Sequence, residues 1–294
     1  MKKTVETWLY QHARALEVAR YDYHFKQANQ DTVIEALECY QNEDGGFGNS
    51  LEPDFFTKES TPIATWVASR IIEEIALDKS HPLVTSILEY LKNTPHQKNG
   101  LFFFSIPKNN DYPHAIWWHH QPKNEIQGYN PTASLLGFMY KYSSDEEKVK
   151  IKEEIGKAIE YFLNHNVKEM HELRMFVELY HYIKPALFYQ SFFETLQTRV
   201  ENAVEMDSNQ WFETYCIRPS QLIISPDSPG YERLKTIVQK EHVLLKQHLT
   251  EKGIWDIEWS WADDYPEAFL EAKKAWQGIR ALEYLLRFKA FGEL

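Results

Sequence analysis

The chain has 294 residues, 43% of them hydrophobic and 15% aromatic, enough to bury a large core. Its formal charge of -11, from 32 basic and 43 acidic residues, excludes a general nucleic-acid binder and a protein held to an anionic membrane by basic patches. Two cysteines, Cys39 and Cys216, are too few and too far apart for a zinc cluster or a disulfide framework, and point to a reducing, cytoplasmic setting.

Lys2 and Lys3 are followed by no apolar stretch, because Glu6, Gln11, His12 and Arg14 interrupt it, so no secretion signal is expected. No run reaches the ~18 apolar residues of a membrane-spanning helix. Trp8, Leu9, His12, Ala15, Leu16 and Ala19 recur at helical spacing and predict one amphipathic helix to about Tyr21. A second is expected over 31–41, with Val33, Ile34, Leu37 and Tyr40 on one face. Over 61–77, Ile63, Trp66, Val67, Arg70, Ile71 and Ile75 predict a longer helix, poor in charge at its start as an inner, doubly packed helix would be. Leu83, Ile87, Leu88 and Leu91 mark a shorter one over 82–92.

Residues 93–127 form the longest irregular stretch, too aromatic for disorder. Within it, 102–106 reads as a short, solitary strand. Pro131 opens a further inner helix, a charged helix covers 145–164, and two more cover 172–183 and 187–205. A short helix near Pro219, a charged one over 231–249 and a last one over 266–289 bring the count to about eleven. The fold class is therefore all-α, one domain over 1–294, with charged outer helices alternating with apolar inner ones.

One punctuation mark recurs. Asp44-Gly45-Gly46-Phe47-Gly48 precedes Thr61-Pro62, and Gly100-Leu101-Phe102 precedes Asn130-Pro131. Gly253-Ile254-Trp255 precedes Tyr265-Pro266, with a worn copy at Asn209-Gln210-Trp211 before Arg218-Pro219 and a degenerate unit near His165. Glycine supplies the positive φ that stops a helix, and proline fits the first position of the next. A spacing of ~45–55 residues with two helices per unit is the mark of a helical repeat array that curves or closes on itself.

At Gln41, Gly45 and Phe47 the chain resembles the QW repeat of the terpenoid cyclase and protein prenyltransferase superfamily, whose members form α/α toroids. Phe47 stands at the tryptophan position, and the glutamine is displaced or missing in the later copies. The stretches 44–48 with 51–54, then 113–118 and 130–133, look like bacterial proteins described only as prenyltransferase-like. The resemblance implies the toroid and leaves the activity open. The Asp-x-Asp-Asp acid of the class II cyclases has only Asp263-Asp264 as its nearest counterpart. Neither cysteine has the Asp that a prenyltransferase zinc site requires two residues before it, and the Cys-His pairs of lanthionine cyclases are absent.

In such a toroid the loops entering the inner helices surround one opening, which would gather Glu52 and Asp54, then His114, Trp117, Trp118 and His119, then Glu258, Trp259, Trp261, Asp263 and Asp264. Asp44 and Asn130, at the entrances to two units, join the candidate ligand-binding set. Carboxylates beside tryptophans suit sugars, which stack on indole and hydrogen-bond to acids, or isoprenoid cations, which aromatic faces stabilise. Asp54, Asp263, Asp264 and His114 are the candidate catalytic groups, as a paired-carboxylate acid and base or a proton shuttle. Helix capping by the acids, and plugging of helix ends by Phe47, Phe102, Trp211 and Trp255, are the structural alternatives. His114, His119 and His120 have no spacing that fits a known metal site, so no metal is expected; the sequence names no cofactor. The partner expected is a small molecule, with neither nucleic acid nor membrane insertion. Three readings follow: an enzyme acting on an isoprenoid or carbohydrate-like compound, a non-catalytic binding toroid, and a carbohydrate-active (α/α) barrel using Asp54 and Asp264.

Overall fold

Local capping chemistry sets most of the helix boundaries in the computed structural model, which describes residues 1–294 and holds twelve α-helices and one small hairpin. The first expected helix is two, α1 (Lys2–His12) and α2 (Ala15–Lys26). The break lies at Arg14, which adopts extended backbone (φ -66°, ψ 155°). Its guanidinium donates to the Ser50 and Leu51 carbonyls at 3.0 and 3.2 Å while pairing with the buried Glu17. A long-range anchor thus overrides the local helical pattern.

Helix α3 (Gln30–Glu38) starts at Asn29, whose side chain accepts from the Asp31 amide. Helix α4 (Pro62–Glu74) begins as its Thr-Pro signal requires: the Thr61 hydroxyl accepts from the Ala64 amide at 2.9 Å, and Pro62 fills the first position. His81 caps α5 (Pro82–Asn93) in the same manner. The strand expected at 102–106 is shorter and is paired: β1 (Gln97–Lys98) and β2 (Leu101–Phe102) form an antiparallel hairpin. Beyond it come α6 (Thr132–Tyr142), α7 (Asp145–Asn164), α8 (Met170–Ile183) and α9 (Gln190–Ala203). The last are α10 (Pro219–Leu222), α11 (Tyr231–Gln247) and α12 (Pro266–Ala290). No helix is long and apolar enough to cross a membrane.

Burial separates two kinds of helix. In α6 every residue from Thr132 to Phe138 is buried, and α4 buries Ile63, Ala64, Thr65, Ala68, Ser69, Ile71 and Ile72 around its circumference. In α7 only one stripe, Ile151, Ile155, Ala158, Ile159 and Phe162, is covered. Helix α4 packs on α5 and α6, α6 on α7 and α8, and α8 on α9 and α10. Helix α12 lies against α1 and α2. One apolar core takes residues from Leu16 to Ala272, and a second joins Val5, Trp8 and Leu9 to Trp255, Leu282 and Phe288.

The recurring turn is one structure at Gly45 and Gly253 and a tighter hairpin at Gly100, where Asn99 also has a positive φ (+53°). Gly45, Gly100 and Gly253 have φ of +84°, +78° and +83°. Asn42 and Gly45 close the first turn by exchanging bonds with Gly46 and Asn42, and Thr250 and Gly253 repeat this with Ile254 and Thr250. The Phe47 and Phe102 amides each donate to a threonine hydroxyl of the next helix, Thr65 at 3.1 Å and Thr132 at 2.8 Å. The turn therefore aligns the helix that follows it.

Gly45 and Gly100 separate conformational strain from collision. A Cβ on Gly45 would lie 2.3 Å from the Ser86 carbonyl oxygen, whereas at Gly100 it would meet only the movable Glu154 carboxylate at 3.0 Å. Gly100→Ala is expected to cost about 1 kcal/mol, the left-handed backbone penalty alone, and Gly45→Ala at least about 2 kcal/mol. Urea denaturation of the two variants checks this, and equal losses would show that the helix α5 backbone yields freely.

Candidate functional site

Three stretches remote in sequence meet at one place. Residues 54–56 run beside 113–115: the Ala115 amide donates to the Asp54 carbonyl at 2.8 Å and the Phe56 amide to the Pro113 carbonyl at 2.9 Å. The Asp54 side chain reaches the last loop, where Oδ1 accepts from Trp261 Nε1 at 2.8 Å and Oδ2 from Trp259 Nε1 at 3.1 Å. A third indole, Trp276, faces the same carboxylate, and its buried Nε1 forms no hydrogen bond. Asp54 is 3% exposed, and burial pushes its carboxyl up to about 6 although the indole N–H groups pull the other way. Glu52 is buried beside it and accepts from the Asp54 amide at 2.8 Å; burial, then the Asp54 charge, raises its carboxyl far above the ordinary range.

In front of this pair lies an open cleft of about 280 Å³ lined by Asn110, His114, Ile116, His119, Asp264 and Tyr265. His114 Nδ1 sits 2.6 Å from the Tyr112 carbonyl oxygen, which makes it the N–H donor. His114 Nε2 then accepts from His119 Nδ1–H at 3.0 Å, the rings stacking 5.2 Å apart. This order leaves His119 Nε2 as an unprotonated acceptor, backed by a second imidazole and a carbonyl. Tyr265 packs on His114 with ring centroids 5.8 Å apart. Asp263 and Asp264 are both exposed, and only Asp264 lines the cleft.

The other expected residues have other placements. Asp44 accepts from the Gly46 amide within its own turn and from the Ser60 hydroxyl just before α4, and Asn130 is buried with its backbone amide on the Gln127 carbonyl. Trp118 is buried, stacked on Phe104 at 4.5 Å, while Trp117 beside it is 38% exposed. Glu258 receives Arg218 and Arg280 at 3.1 and 2.6 Å; burial opposes its charge, yet the two guanidiniums hold it below the usual carboxylate range. Of the turn aromatics, Trp211 and Trp255 donate to the Glu205 and Leu245 carbonyls and are buried with Phe47 and Phe102.

A second polar cluster went unforeseen among the apolar helices. Glu178 on α8 accepts three hydrogen bonds, from Trp66 Nε1 and Ser134 Oγ on Oε2, each at 2.7 Å, and from Arg174 Nε on Oε1 at 3.1 Å, and Arg70 Nε forms an ion pair with Oε1 at 3.3 Å. Both guanidiniums lie over the Trp66 ring, at 5.1 and 5.8 Å from its centroid. The signal was present in the sequence, since Arg70 interrupts the apolar stripe of its helix and Arg174 stands four residues before Glu178.

No group of three or more His, Cys, Asp or Glu side chains is placed to hold a metal ion. Neither the protein-family models, nor the curated proteins, nor the solved structures contain a match to this chain.

Proposed function

We propose that the chain is an α/α toroid of the terpenoid cyclase and prenyltransferase-like type that binds a small polar, carbohydrate-like molecule in its loop-side cleft. The toroid half is supported by the repeated glycine-aromatic turn, by the alternation of deeply buried and one-sided helices, and by the contact of α12 with α1 and α2. The ligand half rests on one observation: the loop bearing His114 and His119 and the loop bearing Asp264, each tied to the stretch at Asp54, line a cleft in which only two of six lining residues are hydrophobic. A cleft of about 280 Å³ with histidine and carboxylate walls suits one sugar-sized ring better than an isoprenoid chain, which needs apolar walls.

The histidine pair favours a second reading, in which the bound molecule also reacts. His119 Nε2 would take a proton from a ligand hydroxyl. The resulting imidazolium would be stabilised by donating to His114, which is itself oriented by the Tyr112 carbonyl. Asp264, which lines the same cleft, would be the partner acid or base.

Thermal-shift titration with monosaccharides and with prenyl diphosphates tests the binding reading. Sugars at ~100 times Kd are expected to raise the melting temperature by on the order of 5 °C, with Asp264→Asn and His119→Gln removing most of that shift. Stabilisation by prenyl diphosphates alone, or a sugar shift unchanged in both variants, would overturn it.

A further inference from the structure

The Glu178 cluster holds more cationic capacity than its own carboxylate uses. Arg70 and Arg174 direct their Nε atoms at the same oxygen of Glu178, and the other oxygen is filled by Trp66 and Ser134. That carboxylate is saturated. The Nη nitrogens of both arginines donate no hydrogen bond within the protein, and none is sealed from solvent. Arg70 Nη2 has one loose neighbour, Glu283 of α12, at 3.6 Å, and the Glu283 side chain is 38% exposed. The two guanidiniums and Glu178 alone carry a charge of +1, and Glu283 brings the four groups to neutrality. Two like charges so close repel each other, and burial followed by the Arg70 charge lowers the affinity of Arg174 for its proton.

We infer that Arg70, Arg174 and Trp66 form a binding subsite for the carboxylate group of a small molecule, with Glu283 occupying part of that position until the ligand arrives. The charge decides between anions. A monoanion that takes the place of Glu283 keeps the balance of two arginines against two carboxylates, whereas a phosphate dianion there would leave one negative charge uncompensated. The geometry agrees, because a planar carboxylate fits the free edges of two guanidiniums by paired N–H···O bonds. The subsite lies on α4, α8 and α12 and stands independently of the loop-side cleft, since none of its residues lines that cleft.

Isothermal titration with D-glucuronate and benzoate, each against an uncharged counterpart, D-glucose and benzamide, tests the subsite. Each carboxylate is expected to bind at least ~10-fold tighter than its counterpart, a preference that falls by roughly the same factor in 0.5 M sodium chloride. Arg174→Gln is expected to abolish the preference, and Arg174→Lys to lose most of it, because lysine keeps the charge without the fork. Glu283→Gln removes the competing carboxylate and is expected to strengthen carboxylate binding ~3-fold or more. Equal binding of charged and uncharged partners to the wild-type protein would overturn the assignment. So would a preference that survives in Arg174→Gln or weakens in Glu283→Gln; the last variant changes a half-exposed residue and keeps the test decisive if Arg174→Gln fails to fold. Loss of sugar binding in the cleft variants with the carboxylate preference intact would count against the cleft alone.

Discussion

Glu178→Ala is expected to lower the stability of the fold by about 3–5 kcal/mol, the range for removing one partner of a buried ion pair. Glu178 is 8% exposed, accepts hydrogen bonds from Arg174, Trp66 and Ser134, and is ion-paired with Arg70. Its removal leaves two adjacent guanidiniums with only the looser, half-exposed Glu283 as counter-charge and strands an indole N–H and a hydroxyl. Burial disfavours the Glu178 charge, but the two arginines outweigh burial and hold its carboxyl below the usual range. The sign for pH follows: a carboxyl with a lowered folded pKa contributes stability that is present near neutrality and is lost as pH falls through that folded value. Glu178→Gln keeps one acceptor oxygen and should lose less than the alanine variant. Urea unfolding at pH 7 checks both, with a shifted midpoint at unchanged slope the expected form. A loss in Glu178→Ala below about 1 kcal/mol would mean that water solvates the arginines and that the cluster behaves as a surface pair.

Asp54→Ala is expected to cost about 2–5 kcal/mol, because it strands the Trp259 and Trp261 N–H groups and opens a small void between the first and last loops. The pH dependence is more diagnostic and has the opposite sign to that of Glu178. The folded-state value of about 6 lies above the ordinary 3.8, so the folded protein takes up this proton before the unfolded chain does. Stability from this group is complete below the ordinary value and is lost as pH rises through about 6. The stability of wild type relative to Asp54→Asn should therefore improve on acidification from pH 7 to 4 by about 2 kcal/mol, because at pH 4 the unfolded carboxyl has begun to take up its own proton. Melting curves of the two proteins across that range supply the difference. A flat difference would show that Asp54 ionises as an exposed carboxyl does and that the indole cage does not exclude water.

Proline and threonine signals made the helix starts legible: Thr61-Pro62, Pro82 and Pro266 stand where the sequence reading put them. The break between α1 and α2 was not legible, because its cause is a bond from Arg14 to carbonyls 36 and 37 residues away. The same limit governs the site. Acids, histidines and tryptophans in long loops mark Asp54, His114, His119, Trp259, Trp261 and Asp264 as a group, since polar residues in irregular segments need a reason to be there. Which of them meet was beyond reach: that Asp54 is held by indoles and that Asp264 lines one cleft with the histidines depends on packing across the whole chain. Arg70 and Arg174 were missed for a different reason. Each lies on a helix whose periodicity is apolar, so a pattern reading absorbs it into the core stripe, and only the meeting of α4 with α8 at Glu178 reveals the cluster.

The bonds between Asp54 and the two indoles span 205 and 207 residues. During synthesis they can close only after almost the entire polypeptide has left the ribosome. The first loop and the last are therefore tied together late, after every helix between them has been made. Contacts of this range also slow folding, because the entropy of so large a loop is lost before any of the tie is gained.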